Sequence, residues 1–160
     1  MRAIRSLAVV ASAVALGACP TARMHVPAAR LELSVAPAAI THGDTLRLTA
    51  TLTNPGERPL RMEFDDECQV VFYVLAPDRS IVHPPGSGAA CVGAPAVIEL
   101  APGEVRRFED RWIAALGGEG TFMAYAILWE HHVPDGKERE YRAGYRSNEV
   151  TVQVTRPTAQ

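Results

Sequence analysis

The sequence predicts an all-β fold, an antiparallel sandwich of about seven to nine strands. Alternating apolar and polar runs are separated, about every eight to fifteen positions, by clusters of proline, glycine and asparagine. A period of two is typical of a strand with one buried face. No stretch keeps a helical period for more than about one turn, and no segment is repeated.

The first strands of the predicted domain show this alternation most clearly. Leu31–Val35 is the first strand, and Thr45–Thr53 gives the strongest pattern, with one face formed by Leu46, Leu48, Ala50 and Leu52. Asn54-Pro55-Gly56 is predicted to end it in a type II turn, with proline and glycine at the two central positions. Leu60–Phe64 then resumes the alternation.

The central strands are shorter and less regular. Gln69–Leu75 is more continuously apolar, and Ser80–Val82 is a short continuation. His83–Pro95 contains three prolines and three glycines and is the least regular segment of the domain. Val97–Leu100 and Val105–Trp112 are predicted strands on either side of a Pro102-Gly103 turn.

The last part of the domain contains the most apolar strand. Gly120–Glu130 is apolar on both faces, as expected for a central strand covered on both sides. Pro134-Asp135-Gly136 is a hairpin turn. The chain returns from Glu138, and Glu149–Val154 is the final strand.

The N-terminus has the organisation of an export signal. Arg2 and Arg5 form a basic start without acidic residues, and Leu7–Leu16 is an apolar run of about ten residues. That run is too short for the roughly twenty residues of a membrane-spanning helix. A basic region, a short apolar region and small residues before a cut site indicate a signal peptide. A buried N-terminal element of the domain is the alternative.

The cut site resembles the lipobox of bacterial lipoproteins. Leu16-Gly17-Ala18-Cys19 is an aliphatic residue, two small residues and a cysteine. The resemblance implies cleavage before Cys19 and lipid on its sulfur, with more than one acyl chain for stable anchoring. Pro20–Ala29 is then a tether. Because Pro20 follows the cysteine where an aspartate would favour the inner membrane, the outer membrane is favoured if the cell is Gram-negative.

These features divide the chain into four parts: a signal peptide at 1–18, a lipidated tether at 19–29, one domain at 30–155 and a tail at 156–160. Removing 1–18 takes away two arginines, so the mature chain has 14 basic and 18 acidic residues, a net charge of about −4. A mildly acidic chain with one lysine has no electrostatic basis for nucleic-acid binding. Arg106, Arg107 and Arg111 alternate with acids and fit a solvated strand face.

The three cysteines are explained if Cys19 carries lipid. In an exported protein Cys68 and Cys91 are by default a disulfide. The loop they would close, about 24 residues, contributes on the order of 3 kcal/mol in the chain-entropy model. A metal or redox site is the alternative, although no C-x-x-C motif or finger-like histidine spacing is present.

Several stretches resemble the BsuPI-type (intracellular proteinase inhibitor) domain, a bacterial immunoglobulin-like β-sandwich. They are HGDTLRLTATLTNPGERPLRMEF, IELAPGEVRRFEDRW, GTFMAYAIL and SNEVTVQV, which together span most of 30–155. The resemblance implies an immunoglobulin-like sandwich, and the family is named for inhibition of a subtilisin-like protease. The matched elements are structural, so the resemblance assigns no inhibitory residue in this chain.

Candidate chemistry in the sequence is sparse. Asp65-Asp66-Glu67 could hold calcium, and Glu130, His131 and His132 with His83 could hold zinc, but neighbouring side chains on a strand point to opposite faces. An acidic loop and no metal are therefore expected. No nucleophile, base and orienting group assemble around Ser87 or elsewhere, so no catalytic residue and no enzyme activity are expected.

The aromatic residues are interpreted mostly as core. That set is Phe72, Phe108, Trp112, Phe122, Tyr125 and Trp129. Tyr141 and Tyr145, near the hairpin, are the expected exposed aromatics and a possible partner surface.

The sequence therefore predicts a lipoprotein of the cell envelope with a non-catalytic binding or assembly module. It is expected to bind the membrane through its lipid and an envelope protein as partner, with no cofactor, small-molecule ligand or nucleic acid. The alternative is an envelope protease inhibitor that presents the loop 83–95, because a braced loop loses little entropy on binding. A third option is a carbohydrate- or metal-binding module.

Overall fold

The computed structural model describes residues 29–64, 66–85, 93–132 and 141–157, and every regular element within them is a β-strand. The eleven strands are β1 Arg30–Ala36, β2 Ala39–Thr41, β3 Thr45–Thr53, β4 Leu60–Phe64, β5 Val70–Leu75, β6 Ile81–His83, β7 Ala96–Leu100, β8 Val105–Ile113, β9 Gly120–His132, β10 Tyr141–Arg146 and β11 Val150–Thr155. The described part of the chain contains no helix with the length and apolar character needed to cross a bilayer.

The strands form three sheets. A three-stranded sheet has the order β1-β3-β8, and a six-stranded sheet has the order β2-β11-β9-β5-β6, with β10 also paired to β9. β4 and β7 form a two-stranded sheet. All pairs are antiparallel except β2 with β11. The predicted all-β, immunoglobulin-like antiparallel sandwich is confirmed as the fold class.

The strand count exceeds the seven to nine expected because two strands have only three residues. The sequence predicts β6 as a short continuation after the Gln69–Leu75 strand. β2 is too short for its alternation of apolar and polar residues to be detected in the sequence. Pro37, which lacks an N–H, separates β2 from β1, and the pairing of β1 with β3 stops at Ala36. The chain then crosses to the other sheet, where Ile40 pairs with Val154 of β11.

The core lies between the inner faces of the sheets, where the alternation predicts it. The bounds of β3 and β4 are those expected, and the four inward residues of β3 are fully buried. Facing them from the six-stranded sheet are Phe122, Ala124, Ala126, Leu128, Val152 and Val154. Trp112 and Phe122 meet with their ring centroids 5.1 Å apart.

The turn after β3 depends on the Asn54 side chain and is not the type II turn expected. A type II turn needs a positive φ at Gly56, and Gly56 does not have one. Instead the Gly56 N–H donates to Asn54 Oδ1 at 3.0 Å, an Asx turn. Asn54 Nδ2 donates to Arg58 O at 2.8 Å and to Leu100 O at 3.0 Å. This side chain, 1% exposed, therefore links β3, the following loop and β7.

The Pro102-Gly103 turn has the geometry that its residues predict. Gly103 has a φ of 74°, and the Glu104 N–H donates to Ala101 O at 2.9 Å. Proline and then glycine at the two central positions produce a type II turn here. The turn also packs against the Asn54 turn, because the Gly103 N–H donates to Asn54 O at 2.9 Å.

A second asparagine joins the two large sheets at the open edge of β1. Asn148 Oδ1 accepts the Leu33 N–H at 2.8 Å, and its Nδ2 donates to Leu33 O at 3.1 Å. The preceding Ser147 accepts the Ala126 N–H on Oγ at 2.8 Å. These two residues lie between β10 and β11, so the break between those strands is held by side-chain hydrogen bonds.

Candidate functional site

The site residues expected from the sequence lie only partly within the described residues. Cys19 and Cys91 lie outside them, so lipidation and the cysteine pairing stay predictions. Tyr141 pairs with His132 in the β10–β9 register. Tyr145 is half-buried and packs against the hydrophobic core, which differs from the exposed aromatic expected at that position.

The segment around Cys68 is half-buried and close to the return of the 83–95 loop. The Cys68 N–H donates to Asp66 Oδ1 at 2.8 Å, which turns the chain into β5. A Cβ placed on Gly93 would lie 2.9 Å from Glu67 Cγ and Cδ. Gly93 therefore lies within contact distance of the side chain of Glu67, the residue immediately before Cys68.

The other end of that loop is fixed by a histidine–aspartate contact. His83 Nε2 lies 2.7 Å from Asp110 Oδ2, and the His83 side chain is only 13% exposed. The pair connects β6, at the edge of the six-stranded sheet, with β8, at the edge of the three-stranded sheet. His83 is thus engaged by Asp110, and the described residues contain no group of three potential metal ligands.

The outer face of the three-stranded sheet is polar, as the alternation of β3 predicts. The outward residues of β3 are Thr45, Arg47, Thr49, Thr51 and Thr53, and they pair, in that order, with Ile113, Arg111, Glu109, Arg107 and Val105 of β8. Arg107 and Arg111 are exposed on this face, in agreement with a solvated strand. Arg106 lies instead over the ring of Phe108, 5.9 Å from its centroid.

The outer face of the six-stranded sheet differs, because its central strands do not alternate. Outward positions of β5 and β9 pair in three rows, Val71 with Ile127, Tyr73 with Tyr125 and Leu75 with Met123. The residues between them, such as Ala124 and Ala126, are fully buried on the inner face. We call the six outward side chains the tyrosine patch. All of them are half-buried except Val71, which is 9% exposed.

The centre of the tyrosine patch is a stack that crosses three strands. The rings of Tyr73 and Tyr125 have centroids 5.1 Å apart and planes 15° apart. Since their backbones are direct cross-strand partners, the rings stand side by side and do not lie flat on the sheet. The Arg146 guanidinium, from the opposite side of β9, lies 4.0 Å from the centroid of Tyr125. Tyr125, expected in the core, therefore belongs to the outer face.

Polar groups border the tyrosine patch on the β10–β11 side. Arg146 forms an ion pair with Glu149. Farther along, Gln153 Nε2 donates to Thr121 Oγ1 at 2.9 Å. An apolar, aromatic centre with a charged and hydrogen-bonding border is typical of an interaction surface.

Two exposed side chains outside the tyrosine patch, Asp78 and Arg61, have shifted pKa values. Hydrogen bonds from the Ser80 hydroxyl and backbone N–H to Asp78 lower the pKa of that carboxyl. The hydrogen bond and charge of Glu63, with a smaller contribution from Glu99, raise the pKa of Arg61. Both groups are fully solvated, so these shifts indicate local turn and strand contacts and not a reactive centre.

No protein-family model matches the chain, and no curated protein matches it. Among solved structures, the CARDB domain of PF1109 from Pyrococcus furiosus is 13% identical with a TM-score of 0.46, over 81% of this chain and 94% of that one. The C-terminal domain of wzt is 11% identical with a TM-score of 0.49, over 82% and 75%. A β-glucosidase from Erythrobacter marinus is 16% identical with a TM-score of 0.44, over 79% of this chain and 15% of that chain. These similarities assign neither a ligand nor an activity.

Proposed function

We propose that this chain is exported, cleaved before Cys19 and held at a membrane by lipid on that residue, where its sandwich acts as a non-catalytic binding module. The observation that carries the binding role is the tyrosine patch, where half-buried aromatic and aliphatic side chains lie side by side on the outer face of the six-stranded sheet. A contiguous apolar patch with a polar border is typical of a place of interaction.

The lipobox around Cys19 supports the anchor, and the length of the tether limits how far the domain can lie from the membrane. The tether has ten residues, 20–29, and precedes β1. A chain of that length reaches at most about 35 Å when fully extended. The sandwich would therefore stay close to the bilayer, with any partner met at or near the membrane surface. The outer membrane is the favoured location in a Gram-negative cell.

A disulfide between Cys68 and Cys91 is part of the proposal. It is supported by the approach of Gly93, two residues beyond Cys91, to the side chain of Glu67. Cys68 is a bonded cysteine in the structure, which supports it further. With Cys19 lipidated, this pairing leaves no free thiol in an oxidising compartment.

Replacing Cys19 with alanine is expected to abolish both lipid incorporation and membrane retention. Cells fed a radiolabelled fatty acid should label the wild-type chain, which should sediment with membranes, because two or three acyl chains anchor it stably. The Cys19→Ala chain should carry no label. A Cys68→Ala variant is the matched control, since it also removes one sulfur yet should keep the label. Label on the Cys19→Ala chain would refute the anchor.

A protease inhibitor remains the second candidate, because both ends of the 83–95 loop are held. His83 contacts Asp110 at one end, and Gly93 contacts Glu67 at the other. A loop fixed at both stems loses little entropy on entering a protease cleft. If the chain is an inhibitor, the purified protein should slow the cleavage of a reporter peptide by a subtilisin-like protease. Unchanged cleavage would exclude inhibition of subtilisin-like proteases.

A further inference from the structure

The tyrosine patch has the chemistry of a surface that binds its own copy. We propose that two copies of this chain, anchored in one membrane, dock face to face through their tyrosine patches. The proposal names the partner of the surface described above, and its membrane component rests on the proposed lipid anchor at Cys19.

The composition of the patch favours a protein partner over a sugar. Tyrosine, methionine and arginine are enriched at protein interfaces; the patch presents two tyrosines and Met123, and Arg146 lies at its border. A sugar ring stacks on the open face of an aromatic ring. The faces of Tyr125 are covered by Tyr73 on one side and by Arg146 on the other. A flat sheet surface bordered by charges is better matched by a second sheet.

The arrangement of the patch makes it complementary to itself. A two-fold axis lying across the strands, through the row of Tyr73 and Tyr125, would place Val71 of one copy over Leu75 of the other. The same axis would place Ile127 over Met123, so that apolar side chains cover apolar side chains. Two sheets pack in this way with their strands within about 30° of each other.

The charges at the border satisfy the same symmetry. Arg146 and Glu149 are adjacent on the β10–β11 side, and each side chain is 50% exposed. Because a two-fold contact brings the same residues together from both copies, each guanidinium can reach the carboxylate of the other copy. A border of a single sign would repel a second copy, whereas this one carries both signs.

The size of the patch indicates why anchoring matters. Three rows of side chains on strands about 4.8 Å apart, with the border residues, cover on the order of 500 Å². A stable dimer typically buries about 800 Å² on each partner. We therefore expect weak association in solution. Anchoring both copies in one membrane raises their effective concentration and compensates for the small area.

The experiment is sedimentation equilibrium of the purified full chain in a mild detergent. We expect a monomer–dimer equilibrium with a dissociation constant on the order of 100 μM. Met123→Asp places a charge against Ile127 of the other copy, within the apolar contact, and should weaken association at least tenfold. Thr51→Asp is the matched control, because Thr51 is also half-buried and faces outward, on the middle strand of the other sheet. It should leave the equilibrium unchanged.

Crosslinking in membranes gives a second measurement that does not depend on the folding of Met123→Asp. Thr151→Cys, exposed beside the patch and opposite Met123, should give dimers with a long bismaleimide, because the two-fold axis places the two cysteines about 14 Å apart along the strands. Ser34→Cys, exposed on the other sheet, should not. A chain that is monomeric at about 1 mM, or dimers unaffected by Met123→Asp, would overturn the proposal. Crosslinking at position 151 to a different protein, without dimers, would also overturn it. Since sedimentation does not require the lipid, loss of the Cys19 anchor and loss of the dimer are separate results.

Discussion

Replacing Asn54 with alanine is expected to lower the free energy of unfolding by about 3 kcal/mol. The side chain is 1% exposed and makes three hydrogen bonds, to the backbone of Gly56, Arg58 and Leu100. Alanine removes all three and leaves the Leu100 carbonyl, which is buried, without that donor. An unsatisfied buried polar group costs more than the net value of the bond itself. Urea denaturation followed by circular dichroism measures the loss.

Asn54→Asp separates the donor role from the acceptor role of the same side chain. Aspartate keeps an oxygen for the Gly56 N–H but places a carboxylate against two carbonyl oxygens. Burial and those oxygens would raise the pKa of the introduced carboxyl in the folded state above its unfolded value of about 3.9. The destabilisation should therefore be complete at neutral pH and should shrink, relative to wild type at the same pH, as the pH falls toward about 4.

Asn148→Ala is the matched control for Asn54. Asn148 also makes two hydrogen bonds to the backbone of a distant strand, at Leu33, but it is exposed. Water can replace its side chain, so a loss of about 1 kcal/mol is expected. Equal losses for the two asparagines would contradict the role assigned to Asn54, because Asn54 is buried and makes one more hydrogen bond than the exposed Asn148.

Gly117→Ala is expected to cost about 3 kcal/mol, from two causes that act together. The backbone of Gly117 has a φ of 87°, which costs an L-residue about 1–2 kcal/mol. A Cβ there would also lie 2.9 Å from Ala76 Cβ and from Phe122 Cε1. Phe122 is fully buried against Trp112, so it cannot move aside easily. Overpacking of this kind typically costs a further 1–3 kcal/mol, on the order of the backbone cost.

The adjacent Gly118 isolates the backbone contribution. It has a φ of 74°, yet a Cβ there would meet no atom within 4 Å. Gly118→Ala should therefore cost only about 1 kcal/mol. Thermal denaturation of the two variants, side by side, measures the difference. A Gly118→Ala loss as large as that of Gly117→Ala would mean that packing against Phe122 contributes nothing.

The strands with one buried face could be predicted from the sequence because local alternation is enough to define them. The bounds of β3 and β4 follow from leucines and methionine alternating with threonine, arginine and glutamate. The Pro102-Gly103 turn likewise follows from local preferences, since proline and glycine each supply one required φ. The Asn54 turn does not, because a side-chain hydrogen bond replaces the backbone geometry.

The tyrosine patch could not be predicted because β9 is apolar on both faces. In Phe122-Met123-Ala124-Tyr125 nothing local distinguishes the inner face from the outer one, so the sequence predicts a core position for Tyr125. Pairing with β5 sets the register, and it places the alanines inward and Tyr125 against Tyr73. The same tertiary context turns Tyr145 toward the core. The His83–Asp110 contact joins residues 27 positions apart and has no local signal.

The intact mass of the protein purified from membranes, before and after reduction, tests the anchor and the disulfide together. We expect a chain that begins at Cys19 and carries acyl chains. We expect no thiol that reacts with iodoacetamide before reduction and two that react afterwards, Cys68 and Cys91. A chain that retains residues 1–18, or a Cys19 that alkylates without reduction, would contradict a lipid-anchored sandwich with one disulfide.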